Sequence, residues 1–190
     1  MIHARLRQGY RPARRLPLRR LVGILTAMKA TRPVRRPKPP TPSVIITSSQ
    51  SAMRVPRKRL TELAAFVARE QGAGVAHVDI AVVSADEITD LNRRHLRHSY
   101  ETDVISFDLS EAGDAGLVVQ LIVCGDVAVR QGPLHGYSPA QELMLYVIHG
   151  LLHLTGCDDT TVRGRAAMHA RQEELLVTFL AAQRRARSKG

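Results

Sequence analysis

Apolar and polar positions divide the chain into a front broken by prolines and a body with regular periodicity. Val44-Ile45-Ile46-Thr47 is a β-branched run and predicts a first strand. Pro56 suits the opening turn of a helix, and Leu60, Leu63, Ala64, Phe66 and Val67 recur at helical spacing to about Arg69, with Gly72 and Gly74 to end it. Residues 78–83 alternate and then turn apolar, as in a half-buried strand. Ser84 with Glu87 three positions on makes a capping box for a helix to about His95. Residues 102–107 and 116–124 read as strands, and the Ser, Gly and Asp residues of 110–116 can join them as a hairpin. Residues 125–129 continue as strand end or bend, and 131–137 form a Gly- and Pro-containing loop.

Ser138-Pro139, with Glu142 in the first turn, opens a helix whose buried side is Leu143, Val147, Leu151 and Leu154. Thr160 or Thr161 caps a last helix with the stripe Met168, Leu175, Leu176, Phe179 and Leu180. Strands and helices mix without a regular βαβ alternation. The predicted class is therefore α+β, one mixed β-sheet with helices packed on it.

Composition changes this picture mainly at the front. Residues 1–42 hold seven prolines and several Arg-Arg pairs, which oppose helix and sheet, so they are expected to form a basic, disordered tail before a single domain at 43–190. The net charge of +11 belongs to the front as well: residues 1–61 carry 16 Lys and Arg and no acid, whereas 62–190 carry 12 basic against 17 acidic residues. Such a block reads equally as an arm that touches nucleic acid or as a solvated tail. Met28 and Met53 are alternative start sites, and Met53 would remove the first strand. With two cysteines, Cys124 and Cys157, there is no disulfide framework, which fits a reducing cytoplasm. No apolar run approaches the roughly 20 residues of a membrane span. Trp is absent and aromatics are 4% of the chain, so the core is aliphatic and base stacking is not the expected mode of RNA binding.

The chemistry concentrates in residues 149–159, H-x-x-x-H-x-x-G-x-x-D. On a helix His149 and His153 lie on one face a turn apart and can bind one transition metal. Gly156 can take a left-handed conformation, stop the helix and let the chain return with Asp159 as third ligand. The spacing resembles the zincin signature, but Gly150 stands where a zinc peptidase has its glutamate base, so peptidase chemistry is disfavoured. Three protein ligands leave one position open for water, the arrangement of a catalytic ion. Cys157 is either an alternative ligand or, more simply, a small packing residue.

The same stretch is similar to the H-G-x-L-H-L-x-G-Y-D-H signature of the YbeY family, bacterial rRNA maturation factors and metal-dependent endoribonucleases. His149, Gly150, Leu152, His153, Leu154, Gly156 and Asp158 match, while Cys157 replaces the usual Tyr and Asp159 the usual third His. Residues 91–98 (LNRRHLRH) and 102–107 (TDVISF) resemble a second family block, and 125–127 (GDV) a third, in the family's order over roughly residues 44–182. The loop at 131–137 is shorter than in the family.

The resemblance implies a zincin-like metal helix and a single-strand-specific endoribonuclease of rRNA maturation and ribosome quality control. Its nucleophile would be a water on one Zn²⁺, or on nickel, with no protein base assigned. RNA, a ribosomal subunit and ribosomal proteins become the expected partners. Phosphodiester cleavage needs positive charge beside the phosphate, and Arg93, Arg97 and His98 are the candidates, with Arg94 beside them. Asp158 either orients a ligating histidine or caps the turn. Asp103 and Asp126 are expected to hold loops, and His135 and His169 to be incidental. An alternative is a ribosome-assembly factor with a mainly structural metal.

Overall fold

The computed structural model describes residues 41–96 and 100–188. The expected tail, apart from Thr41 and Pro42, and the candidates Arg97 and His98 lie outside the described residues. The elements are β1 (Ser43–Ser48), α1 (Arg57–Glu70), β2 (Val75–Val83), α2 (Ala85–Leu96), β3 (Val104–Asp108), β4 (Leu117–Cys124), α3 (Gly125–Gln131), a 3-10 turn (Gly132–His135), α4 (Pro139–Leu154) and α5 (Val162–Arg187). The strands form one sheet in the order β1-β2-β4-β3. β1 and β2 pair in parallel, as do β2 and β4, while β3 pairs antiparallel with β4 at the edge. This is the mixed sheet of an α+β fold. Parallel neighbours need crossovers, which α1 supplies between β1 and β2, and α2 with β3 between β2 and β4.

Residues 125–129, read as strand end or bend, form the start of α3 instead. The sheet explains the change. β4 loses both neighbours at the same level, since Cys124 pairs with Val83 at the end of β2 and Val123 with Val104 at the start of β3. No ladder remains for the β-branched residues beyond. Asp126 then sits in the first turn of α3, where a carboxylate is favoured, and its Oδ2 accepts the Ala85 N–H at 2.8 Å, tying α3 to the start of α2. Asp126 therefore has the structural role expected of it. The Gly- and Pro-containing loop that follows is a single 3-10 turn, closed by Gly136 at φ 78°.

α4 is the centre of the domain. Ser138 caps it in a reciprocal box with Gln141, and Pro139 occupies the first turn. Twelve of its sixteen residues are buried, so it is apolar nearly all round, as a helix enclosed on every side must be. It lies against β3 and β4 on one side and meets α1, α3 and α5 on the others. Leu121, Leu143, Met144, Ile148, Leu151, Leu152 and Leu176 are fully enclosed, which confirms an aliphatic core. Among the described residues no helix is long and apolar enough to cross a membrane.

Candidate metal centre

His149 and His153 stand one turn apart at the C-terminal end of α4, and their Nε2 atoms lie 3.1 Å apart. The rings meet nearly perpendicular, at 87°, so both nitrogens face one point without the rings stacking. α4 stops at Thr155, and Gly156 takes φ 106°, a conformation a β-carbon disfavours. The chain turns back, and Asp159 Oδ2 comes to 3.7 Å from His153 Nε2. Ligand atoms of His149, His153 and Asp159 all lie within 4.8 Å of one another.

The donor set fits a small divalent ion. Tetrahedral ligands at the usual zinc–nitrogen distance of about 2.0–2.1 Å stand about 3.3 Å apart, close to the observed Nε2 separation. Tautomer chemistry agrees. The Nδ1 of His149 is 2.7 Å from the side-chain oxygen of Gln172, a buried residue of α5. An amide oxygen only accepts, so Nδ1 carries the proton and Nε2 keeps its lone pair on the side where the other candidate donors gather. Burial pushes both imidazoles below the ordinary histidine value, against the opposing pull of Gln172 and nearby carboxylates on His149 and of Asp159 on His153. Neutral rings are the metal-binding form.

The connection carrying Asp159 is held in place by its neighbours. Asp158 Oδ1 accepts the Thr160 N–H at 3.0 Å and Oδ2 the Thr160 hydroxyl at 2.9 Å. Of the two roles expected for Asp158, it fills that of turn cap. Thr161 caps α5 through the Gly164 N–H. A β-carbon at Gly164 would lie 2.4 Å from the Asp158 carbonyl oxygen, so glycine there lets the connection rest on the first turn of α5. Cys157 packs against the core and its thiol is pushed up by burial, as a packing residue rather than a ligand.

A cavity of about 150 Å³ opens on this centre, lined by His149, Asp159, Arg165, Met168, His169 and Gln172. Four of these residues belong to α5: Met168 was expected in its apolar stripe and His169 was set aside as incidental, while Arg165 and Gln172 were not singled out from the sequence. Their spacing, 165, 168/169 and 172, is that of one helical face, a signal readable only once that face is known to meet the metal helix. Arg165 Nη1 donates to the carbonyls of Asp159 and Thr160 at 3.1 and 3.3 Å. His135 pairs with Glu142 at the far end of α4, outside the cavity. Arg93 is exposed on α2 and bonded to Asp90 at 2.7 Å, with Arg94 3.8 Å from the same carboxylate.

Gly150 follows the first ligand, where a zinc peptidase carries its base. A β-carbon here would lie 2.7 Å from Leu121 and 2.8 Å from the Ser106 hydroxyl. The position is pressed against the sheet, away from the cavity.

Residues 45–180 match the family model described as Endoribonuclease YbeY. The chain belongs to the endoribonuclease YbeY family. Two curated members illustrate the range of similarity. An Endoribonuclease YbeY of Bacillus licheniformis is 34% identical over 148 residues, covering 70% of this chain and 94% of the relative. One of Moorella thermoacetica is 40% identical over 124 residues, covering 60% and 80%. The solution structure of the Thermotoga maritima protein TM1509 superposes with a TM-score of 0.52 at 25% identity, covering 77% of this chain and 95% of that one. Within the YbeY signature the two departures lie after α4: Cys157, packed against the core, and Asp159, grouped with His149 and His153 where the three could hold an ion.

Proposed function

We propose that this YbeY-family chain is a metal-dependent, single-strand-specific endoribonuclease of rRNA maturation and ribosome quality control, working on ribosomal subunits in the cytoplasm. His149, His153 and Asp159 would hold one Zn²⁺ per chain. The observation that carries this reading is the convergence of the three donors beside an open cavity that His149 and Asp159 line. When bound, the ion supplies a Lewis acid for a phosphoryl oxygen and lowers the pKa of a water.

The chain's own residues do the rest. Gln172 fixes the His149 ring so that Nε2 faces the cavity. Burial disfavours the protonated form of both imidazoles, which favours them as donors. Asp159 contributes a full negative charge that a histidine would not. Arg165 is anchored through Nη1 to two carbonyls, which leaves its other N–H groups for a phosphate oxygen at the cavity wall. No side chain is assigned as general base, and Gly150 stands where a peptidase would carry its glutamate, which disfavours that arrangement.

The test pairs elemental analysis with cleavage of a single-stranded rRNA fragment, for wild type and His153→Ala. About one metal per chain and cleavage in the wild type, both lost in a folded variant, are expected. Cleavage that survives His153→Ala would remove the metal centre from the reaction, and metal without cleavage would favour an assembly factor.

A further inference from the structure

The charge of the domain is unevenly placed. Residues 43–190 carry 16 basic and 17 acidic side chains, close to neutrality. Yet three adjoining clefts of about 980, 500 and 290 Å³, sharing Arg59 and Arg187, are lined by Arg54, Arg57, Lys58, Arg59, Arg184 and Arg187. Among the described residues their linings hold one carboxylate, Glu62, which already accepts a hydrogen bond from Gln183. This cationic surface is where α1 begins and α5 ends.

Two features set it apart from an ordinary solvated face. Arg57, Lys58 and Arg59 fill the first turn of α1, which has no acid. The N-terminal end of a helix dipole is positive, so three cations there oppose the fold; α2, α3 and α4 begin with acids, and α5, which also lacks one, begins with Arg163 between Val162 and Gly164 rather than with three cations in a row. The surface is also rigid. Phe66 of α1 and Phe179 of α5 pack with ring centres 5.7 Å apart, Gln183 ties α5 to Glu62 of α1, and the Arg57 guanidinium donates to the Ile46 carbonyl of β1. A fixed field of like charge, kept at a cost to its own helix, fits a polyanion.

We propose that this surface is a second RNA-binding site that holds the phosphate backbone away from the cleavage centre. The proposal rests on the endoribonuclease reading for its choice of RNA. α4 and α5 run antiparallel: Ser138 and Gln141 line one cleft with Arg184 at one end, and His149 meets Gln172 at the other. Along α5, about 18 Å separate Gln172 from Arg184 at 1.5 Å per residue. A strand held at the basic end and continued along the exposed side of α5 by about that length comes to the metal cavity.

The experiment compares the full chain with the quadruple variant Lys58→Gln, Arg59→Gln, Arg184→Gln, Arg187→Gln. Binding of a fluorescent single-stranded RNA of about 20 nucleotides is followed by anisotropy against salt, in a His153→Ala background, and cleavage in the background of the native centre. An affinity loss of about tenfold or more is expected, with the slope of log K on log salt shallower by about 2–3, since each phosphate contact to a single strand contributes about 0.7. The kcat for cleavage should hold while KM rises. Unchanged affinity and slope would overturn the proposal, as would loss of binding to poly-glutamate with RNA binding intact. If the basic surface binds RNA but no His153-dependent cleavage exists, the surface stands and the endoribonuclease reading falls. If cleavage is His153-dependent and the quadruple variant binds as wild type does, the reverse holds.

Discussion

The Nδ1 of His149 and the side-chain oxygen of Gln172 lie 2.7 Å apart, joining the first metal-ligand candidate on α4 to the middle of α5. The bond selects the tautomer that leaves Nε2 unprotonated, and both residues are buried. Gln172→Leu should lower metal affinity 10- to 100-fold, the usual effect of removing such a partner. It should also cost about 1–3 kcal/mol of stability from the orphaned N–H. Competition with a chromogenic chelator measures the first and urea unfolding the second. Native affinity in the variant would show that α4 alone aligns the ring.

Asp159 brings a charge to the centre. A carboxylate donor offsets more of the metal's charge than an imidazole and should acidify a coordinated water less. Asp159→His is expected to keep one metal per chain and to move the alkaline-rising limb of the pH–rate profile to lower pH. Asp159→Ala should lose most of the metal. Equal or greater activity in the wild type than in Asp159→His would count against this account.

Gly150 is predicted to be intolerant of any side chain. A β-carbon would press on Leu121 and Ser106, and overpacking of this kind costs typically about 1–3 kcal/mol. Gly150→Ala should lower the melting temperature, and Gly150→Glu should fold poorly without gaining peptidase activity. A Gly150→Glu protein as stable as wild type would mean that β3 yields easily.

Acid should loosen the start of α2. The Glu87 carboxylate is held below its ordinary value of 4.5, chiefly by the Ser84 N–H, with help from the Ser49 and Ser84 hydroxyls. A depressed carboxylate contributes stability above its unfolded pKa and loses it as pH falls through the lower, folded value. Glu87→Gln should therefore cost about 0.5–1 kcal/mol at neutral pH, in the range for a lost cap, and the difference from wild type should shrink below about pH 4. Parallel stability curves across that window would exclude this cap from the acid response.

Most elements and all three ligand candidates, Asp159 included, were readable because they obey local rules. Ser84 with Glu87, Ser138 with Pro139, and His149 with His153 and Gly156 are all neighbours in sequence. What was not legible depends on partners distant in the chain. The helix at 125–131 follows from β2 and β3 ending beside Cys124, which no property of Gly125-Asp126-Val127 announces. Arg165, His169 and Gln172 reach the cavity because α5 folds back along α4, and read alone they resemble the polar side of any long helix. Arg93, in the second family block, pairs with Asp90 on the exposed face of α2.

The three donors differ in how freely they can change. His149 and His153 are built into the most enclosed helix of the domain, where a new residue must also satisfy the core. Asp159 sits on the connection after Gly156, held mainly by turns and caps. A mutation there alters the ion's ligand charge with little penalty to folding. The third position is thus the one through which such a centre can drift in metal preference and reactivity during evolution while its scaffold stays the same.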